Sequence, residues 1–239
     1  MATLVVAAVT SSGASGSSLN LEVAQRGASI QLRQLPTVPT PFTAPRVKWP
    51  AANQVALTFD DGPCATKTRR TVDVLGDTVA TFFVIGGQFR RSMSESLHAA
   101  GRGHSIQNHT MDHFRLRRLD TDGILRQLDM TARLIEEAIG ERPTVYRPPF
   151  GSTDVRVRSV TSEAGWYEAM WNGGAPRMDS GSTSIIAAVR NQMRRARTNN
   201  HGLVLLFHDC SGNFSGMINA LPTVIQMLEN DGWEFVAFG

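Results

Sequence analysis

The sequence predicts an α/β fold organised on a parallel sheet, either an α/β barrel or a doubly wound sheet. Three observations carry that expectation. Short apolar runs recur from Val55 to the C-terminus. Several are apolar on both faces, as strands covered by helices on either side are. Amphipathic stretches with apolar residues three or four apart lie between them. At 239 residues the chain suits one domain or two and is long enough to bury a substantial core. A hydrophobic fraction of 41% with 19% charged residues is ordinary for a globular protein and too polar for a membrane bundle.

Taken in order, residues 1–50 differ in texture from the remainder of the chain. A small-residue stretch runs from Met1 to Ser18, the first charge is Glu22, and Leu35-Pro36-Thr37-Val38-Pro39-Thr40-Pro41 reads as a linker. The apolar run Leu4–Val9 has six members and no basic segment before it, short of the about 7–15 residues of a secretory core. The segment is therefore read as a leader, an export-signal remnant or a plain tail, ahead of a domain over 51–239. Expected strands are Val55–Phe59, Ala80–Ile85, His104–Gln107, Val145–Arg147, Tyr167–Trp171, Leu203–Phe207 and Glu234–Phe238. The clearest helix is Thr121–Ile139, with Ile124, Leu128, Ala132, Ile135 and Ile139 on one face and a stop at Gly140 with Pro143 beyond. A second begins at a Ser182/Thr183 cap and carries Ile186, Val189 and Met193. A third carries Leu221, Val224, Ile225 and Leu228 and ends before Gly232. No apolar run approaches the ~20 residues of a membrane-spanning helix, so no transmembrane segment is expected.

Both candidate folds gather their chemistry at the carboxyl ends of the strands, and four segments there stand out. Thr58-Phe59-Asp60-Asp61-Gly62-Pro63 puts two carboxylates at a strand exit, where they need a cation, and Gly62-Pro63 turns the chain; alone it would pass for a surface turn. His109-Thr110-Met111-Asp112-His113 sets two imidazoles four residues apart. An extended strand would separate them by about 13 Å. A helical turn, rising about 6 Å, or a tight loop would let them share one ion. With an aspartate from the first segment they make a three-ligand set with an open position, the pattern of catalytic zinc. Tyr146-Arg147-Pro148-Pro149-Phe150-Gly151 holds Arg147 and the Phe150 N–H on a proline-stiffened path. Leu205-Leu206-Phe207-His208-Asp209 ends a buried strand in a titratable histidine.

In this order the four segments resemble the polysaccharide deacetylases, the NodB-homology domain of carbohydrate esterase family 4, over about Pro50 to Phe238. Thr81-Phe82-Phe83-Val84-Ile85-Gly86 looks like the family's second strand, and Ala220-Leu221-Pro222 like its last helix. The resemblance implies a distorted (β/α)7 barrel. It implies that Asp61, His109 and His113 hold a divalent metal, usually zinc and sometimes cobalt or nickel. Asp60 would be the general base on the attacking water, and Arg147 would keep Asp60 ionised and oriented. The Phe150 N–H would stabilise the oxyanion, His208 would be the general acid, and Leu206 would line the acetate pocket. One segment departs from the family. Where an acidic residue and a tryptophan usually follow the strand ending in Trp171, this chain has Asn172-Gly173-Gly174-Ala175-Pro176-Arg177-Met178-Asp179. Arg177 and Met178 align with those two positions. Either Asp179 supplies the carboxylate that tunes His208 after a two-residue slip, or this chain tunes it otherwise. Met178 can fill an apolar pocket.

Cys64 and Cys210, the only cysteines, flank Asp61 and His208. If those two residues converge, the thiols sit on the rim of the site, as a disulfide or as two inert cysteines; a disulfide would suit a secreted or cell-wall enzyme. His98, His104 and His201 lack a partner motif and read as solvated or structural. Trp166, Tyr167 and Trp171 read mainly as core, with Trp171 placed to reach a sugar. The formal charge is only +3, and two lysines, Lys48 and Lys67, stand among 24 basic residues. Arg115-Leu116-Arg117-Arg118 and Arg194-Arg195-Ala196-Arg197 therefore read as solvated faces, and nucleic acid is not an expected partner. The expected function is metal-dependent N-deacetylation of N-acetylglucosamine polymers such as chitin oligomers or peptidoglycan, by a monomer. The alternatives are an O-acetyl esterase acting on xylan and a non-catalytic glycan-binding relative.

Overall fold

The computed structural model describes residues 46–239; residues 1–45 of the expected leader lie outside the described residues. Ten strands, β1 (Arg46–Val47), β2 (Gln54–Gly62), β3 (Thr81–Val84), β4 (Ser105–Asn108), β5 (Val145–Tyr146), β6 (Tyr167–Glu168), β7 (Gly173–Gly174), β8 (Leu203–His208), β9 (Glu234–Phe235) and β10 (Ala237–Phe238), alternate with seven helices. These are α1 (Lys67–Leu75), α2 (Gly86–Arg91), α3 (Met93–Gly101), α4 (Thr121–Ile139), α5 (Val155–Glu163), α6 (Ser182–Asn199) and α7 (Phe214–Asn230). The main sheet is parallel throughout, in the order β6-β5-β4-β3-β2-β8-β7, with β9 also on β2. Among the described residues its end strands β6 and β7 do not pair, so the sheet curls into a distorted barrel without closing.

The alternation of β2 sets the two layers. Val55, Leu57 and Phe59 face the helices, where Phe59 stacks on Phe82 at 5.1 Å and meets Phe207 at 5.8 Å. Ala56 faces the barrel interior with Phe83, Val204, Val236 and Phe238. Each fully buried aromatic or aliphatic side chain contributes about 1.5–3 kcal/mol, so the central strand carrying the Asp-Asp pair is held from both sides.

Several elements differ from the sequence expectation for identifiable reasons. The first core strand continues to Gly62, taking the aspartates into the sheet. The expected strand 234–238 splits at Val236, whose N–H donates to the Val55 carbonyl while β10 moves to β1. Residues 46–47, placed in the linker by sequence, thereby join the folded unit. The helix at 182 is capped at Gly181 rather than by a serine or threonine side chain. Helices α1 and α3 were not expected because their buried faces are not apolar stripes: Thr68, Thr71, Val72 and Leu75 in one, Glu95, Ser96 and Ala99 in the other. α4 keeps its expected bounds, with Asp120 capping through the Gly123 N–H and Gly140 in the left-handed region at φ 85°. Among the described residues no helix is long and apolar enough to cross a membrane.

Candidate active site

Consecutive residues of a strand point to opposite faces, yet Asp60 and Asp61 both reach the same histidine. The cause is a register shift between Asp60 and Gly62, with Asp61 at φ 73°. A bulge of this kind re-aims one side chain at a sheet rim. His109 Nε2 then lies 3.8 Å from Asp60 Oδ2 and 3.5 Å from Asp61 Oδ1, and His113 Nε2 lies 3.1 Å from that same Asp61 oxygen. The other Asp61 oxygen accepts from Ser211 Oγ. Burial alone would raise the Asp61 carboxyl. Hydrogen bonds from His109, His113 and Ser211, with the His109 charge, outweigh it and hold the group well below the usual carboxylate range.

The two histidines occupy a tight loop leaving β4. Thr110 at φ 67° and His113 at φ 59° fold it back on itself, bringing the rings to 5.0 Å between centroids. Neighbouring side chains hold that strained path. Asn108 Oδ1 accepts from the Thr110 N–H, and Thr110 Oγ1 from the His113 N–H. Gln127 of α4 accepts from the N–H groups of Met111 and Asp112 and donates to the Asp112 carboxylate. Sequence reasoning passed over both Asn108 and Gln127. The available signal was Gln127 itself, a long polar residue on the mainly apolar buried face of α4, beside Ile124 and Leu128.

Arg147 acts through two parts of its structure. Its guanidinium, fully buried, donates to Asp60 Oδ1 at 2.9 Å, to Thr58 Oγ1 at 2.7 Å and to the carbonyls of Ala169 and Met170. Burial lowers its pKa, opposed by the charge and hydrogen bond of Asp60. Its backbone carbonyl accepts from His109 Nδ1 at 2.8 Å. A carbonyl can only accept, so Nδ1 is the donor and Nε2 is the nitrogen turned toward Asp61, the ring orientation that metal-binding histidines adopt. Past the two prolines, Phe150 is left-handed at φ 59° and ψ 17°. Its ring packs 4.5 Å from that of His113, and none of the described hydrogen bonds uses its N–H.

β8 brings up the opposite wall. His208 pairs in register with Asp60, and Leu206, two residues back, is half-exposed. Gly174 of β7 must be a glycine, since at φ 120° a Cβ would lie 2.1 Å from the Leu206 carbonyl. Cys64 and Cys210 form a disulfide, tying the loop after Asp61 to the loop after His208. Beneath it Asp209 is wholly buried and accepts from Thr68 Oγ1, which itself accepts from the Cys64 N–H. Burial, chiefly, pushes the Asp209 carboxyl up to about 7. Gly62 is needed there, because a Cβ would sit 2.7 Å from Asp209 Oδ1. Asp209 and Ser211 were not singled out by sequence.

The departing segment starts on the strand beside β8, with Gly173 and Gly174 paired to Leu205 and Leu206. Asp179 pairs with Arg177 at 3.1 Å and is 74% exposed. Among the described residues no hydrogen bond or ion pair reaches the His208 side chain, so Asp179 is not placed as its tuning carboxylate and neither is Arg177 beside it. Met178 is half exposed, its carbonyl accepting from the Asn213 N–H. Trp171 lies 5.7 Å from the Arg147 guanidinium and flanks Gly151.

Asp61, His109 and His113 are the one group among the described residues able to hold a metal, with donor atoms all within 4.8 Å of one another. Two imidazole nitrogens and one carboxylate oxygen, with one ring oriented from behind by the Arg147 carbonyl, fit a divalent ion of the zinc type with a coordination position left open.

Comparison with known proteins agrees with this geometry. The family model described as polysaccharide deacetylase matches residues 48–169, which carry the Asp-Asp, His-x-x-x-His and Arg-Pro-Pro segments. The chain is 28% identical over 195 residues to a peptidoglycan-N-acetylglucosamine deacetylase of Bacillus cereus, spanning 80% of this chain and 90% of that protein. It is 30% identical over 190 residues to the peptidoglycan-N-acetylmuramic acid deacetylase PdaC of Bacillus subtilis, spanning 78% of this chain but 38% of that protein. Its fold matches the family 4 carbohydrate esterase from Streptomyces lividans, solved in complex with acetate, with a TM-score of 0.66 and 27% identity over 79% of this chain and 93% of that one. With the family's motifs in place on the family's curled parallel sheet, the chain belongs to the polysaccharide deacetylases.

Proposed function

We propose that this protein is a metal-dependent hydrolase that removes acetyl groups from the N-acetylglucosamine units of a polysaccharide, peptidoglycan or chitin oligomers, outside the cytoplasm. The observation that carries the reading is the convergence of Asp60 and His208, paired across adjacent strands, beside the Asp61, His109 and His113 set. A divalent ion bound there, zinc by the mixed nitrogen and oxygen donors, with cobalt or nickel as substitutes, supplies Lewis acidity to the acetyl carbonyl and to the attacking water. The chain's own groups do the rest. Arg147 occupies Asp60 Oδ1, leaving Oδ2 as the oxygen free to take a proton from the water. The unused Phe150 N–H suits an oxyanion hole, since a preorganised donor counts most where charge develops. His208, on the opposite wall, is placed to donate its own proton to the departing amine nitrogen, while Asp60 keeps the one taken from the water. Leu206, Trp171 and Met178 line the acetyl and sugar side. The disulfide supports an oxidising compartment, and the names of the relatives support a cell-wall polymer.

The test measures acetate released from N-acetylglucosamine oligomers, peptidoglycan and acetylxylan, with and without a chelator, for wild type and Asp60→Asn. Release from the amide substrates that falls by about 10²-fold or more under either treatment is expected. Release that survives both would overturn the mechanism. Ester cleavage alone would redirect the reading to an esterase, and glycan binding without acetate from metal-loaded wild type to a binding protein.

A further inference from the structure

The run Arg115-Leu116-Arg117-Arg118 has no part in the chemistry above, yet it lies directly after His113 and Phe114. Its members are differently employed. Leu116 is buried in the core, and Arg117 pairs with Asp154, the residue that caps α5. Arg115 meets no carboxylate among the described residues. Its guanidinium carbon lies 4.1 Å from the centre of the Phe150 ring, and that ring lies 4.5 Å from the ring of His113. A chain of ring contacts therefore runs from His113, through the tilted Phe150 ring, to an unpaired cation at the rim.

The same rim exposes apolar surface that the core does not need. Phe150 is 57% exposed and Phe114, next to His113, is 54% exposed. Exposed phenyl rings offer apolar, rigid contact area for the face of a sugar ring. A guanidinium lying over a ring gives up solvent on one side, while its N–H edge stays free for the two-point contact that matches a carboxylate. Were Arg115 only a lid on the Phe150 ring, its charge would be indifferent to the charge of the substrate.

We propose that Arg115, stacked on Phe150, is a specificity-determining residue that binds a carboxylate carried by the glycan close to the acetamido group undergoing cleavage, so that the preferred substrate is an acidic amino-sugar polymer and not neutral chitin. The inference rests on the deacetylase reading. Two sources present that chemistry, a lactyl ether on the acetylated sugar itself and a uronic acid on its neighbour.

The experiment compares oligosaccharides of matched length: a neutral N-acetylglucosamine oligomer, one containing N-acetylmuramic acid with free lactyl carboxylates, the same with those carboxylates amidated, and an alternating N-acetylglucosamine–glucuronic acid oligomer. Acetate release and equilibrium binding are measured for wild type, Arg115→Gln, Arg115→Lys and the surface control Arg133→Gln. Wild type is expected to favour at least one carboxylate-bearing oligomer over the neutral one by about tenfold in kcat/KM, carried by KM. Arg115→Gln brings that ratio toward one, Arg115→Lys restores part of it, amidation imitates Arg115→Gln if the lactyl group is the source, and Arg133→Gln leaves the ratio as in wild type. High salt narrows the wild-type preference. Arg115-dependence confined to the muramic or to the glucuronic oligomer identifies which source the residue reads. A ratio that Arg115→Gln does not move, or a wild-type preference for the neutral oligomer, overturns the proposal while leaving deacetylation standing. Arg115-dependent binding of an acidic oligomer with no acetate from any substrate sinks the deacetylase reading and keeps the carboxylate site; loss of both sinks both.

Discussion

Arg147 couples the proposed base to the candidate metal ligands within a single residue, since its side chain holds Asp60 and its carbonyl orients the His109 ring. Only the first of these could be read in the Arg-Pro-Pro motif, because a backbone carbonyl carries no residue signature. Arg147→Met should leave Asp60 buried without its cation, at a cost of about 3–5 kcal/mol, and should lower acetate release by about 10²-fold or more. Urea denaturation and the acetate assay read the two effects separately; a loss below about 1 kcal/mol would mean that Asp60 draws its stability from elsewhere. His104 shows the opposite case, a residue whose sequence context says little. It is buried against the edge of the Phe82 ring at 5.5 Å, and neither ring nitrogen has a partner in the fold. Burial, chiefly, with Arg102 and His98 adding to it, brings its pKa down from 6.5 to about 4. The folded state therefore binds fewer protons than the unfolded chain between those values. His104's contribution is intact above pH 6.5 and is lost as pH falls toward 4, about 3 kcal/mol in all. His104→Phe should remove that slope, so that wild type and variant diverge steadily in urea stability as pH is lowered from 7 to 4.5; parallel curves would refute it.

At the level of elements, legibility followed the kind of surface each one buries. α4 was plain in sequence because Ile124, Leu128, Ala132 and Ile135 make an apolar stripe that stops at Gly140. α1 and α3 bury threonine, serine and glutamate, which carry no apolar period, and β7 is two glycines. The histidine loop was legible as a spacing and not as a shape. The requirement that two rings four residues apart share an ion pointed to a turn or tight loop, but the turn itself depends on Gln127, distant in sequence and delivered by α4. Gln127→Leu should preserve α4, whose buried face gains an apolar residue, while freeing the Met111 and Asp112 N–H groups. Zinc affinity should weaken by about 10- to 100-fold, as when outer partners of metal ligands are removed. Titration with a competing chelator measures this, and an unchanged affinity alongside unchanged circular dichroism would show that the loop holds its own conformation.

For the whole molecule, the sequence located the site because a parallel sheet leaves its carboxyl ends together whatever the details of its closure. β2 lies between β3 and β8, with β4 beyond β3, so Asp60, His109 and His208 are brought to one end of the sheet by strand order. What strand order does not supply is the bulge at Asp61, the departing 172–179 segment and the burial of Asp209, each set by contacts between loops far apart in sequence. The same architecture separates folding from metal binding. The core around Phe59, Phe82 and Phe207 packs between the sheet and the helices and uses none of the three candidate ligands. Removing the ion should therefore leave the far-ultraviolet circular dichroism unchanged. A ligand present at 100 times its dissociation constant adds about 2.7 kcal/mol, and at about 2–4 °C per kcal/mol for a chain of this size its removal should lower Tm by roughly 5–10 °C. Asp61→Asn should show the lowered Tm with or without zinc, because it removes the carboxylate that both histidines face. Global unfolding on chelation would instead mean that the ion completes the fold, and a zinc-dependent Tm in Asp61→Asn would place the ion at other ligands.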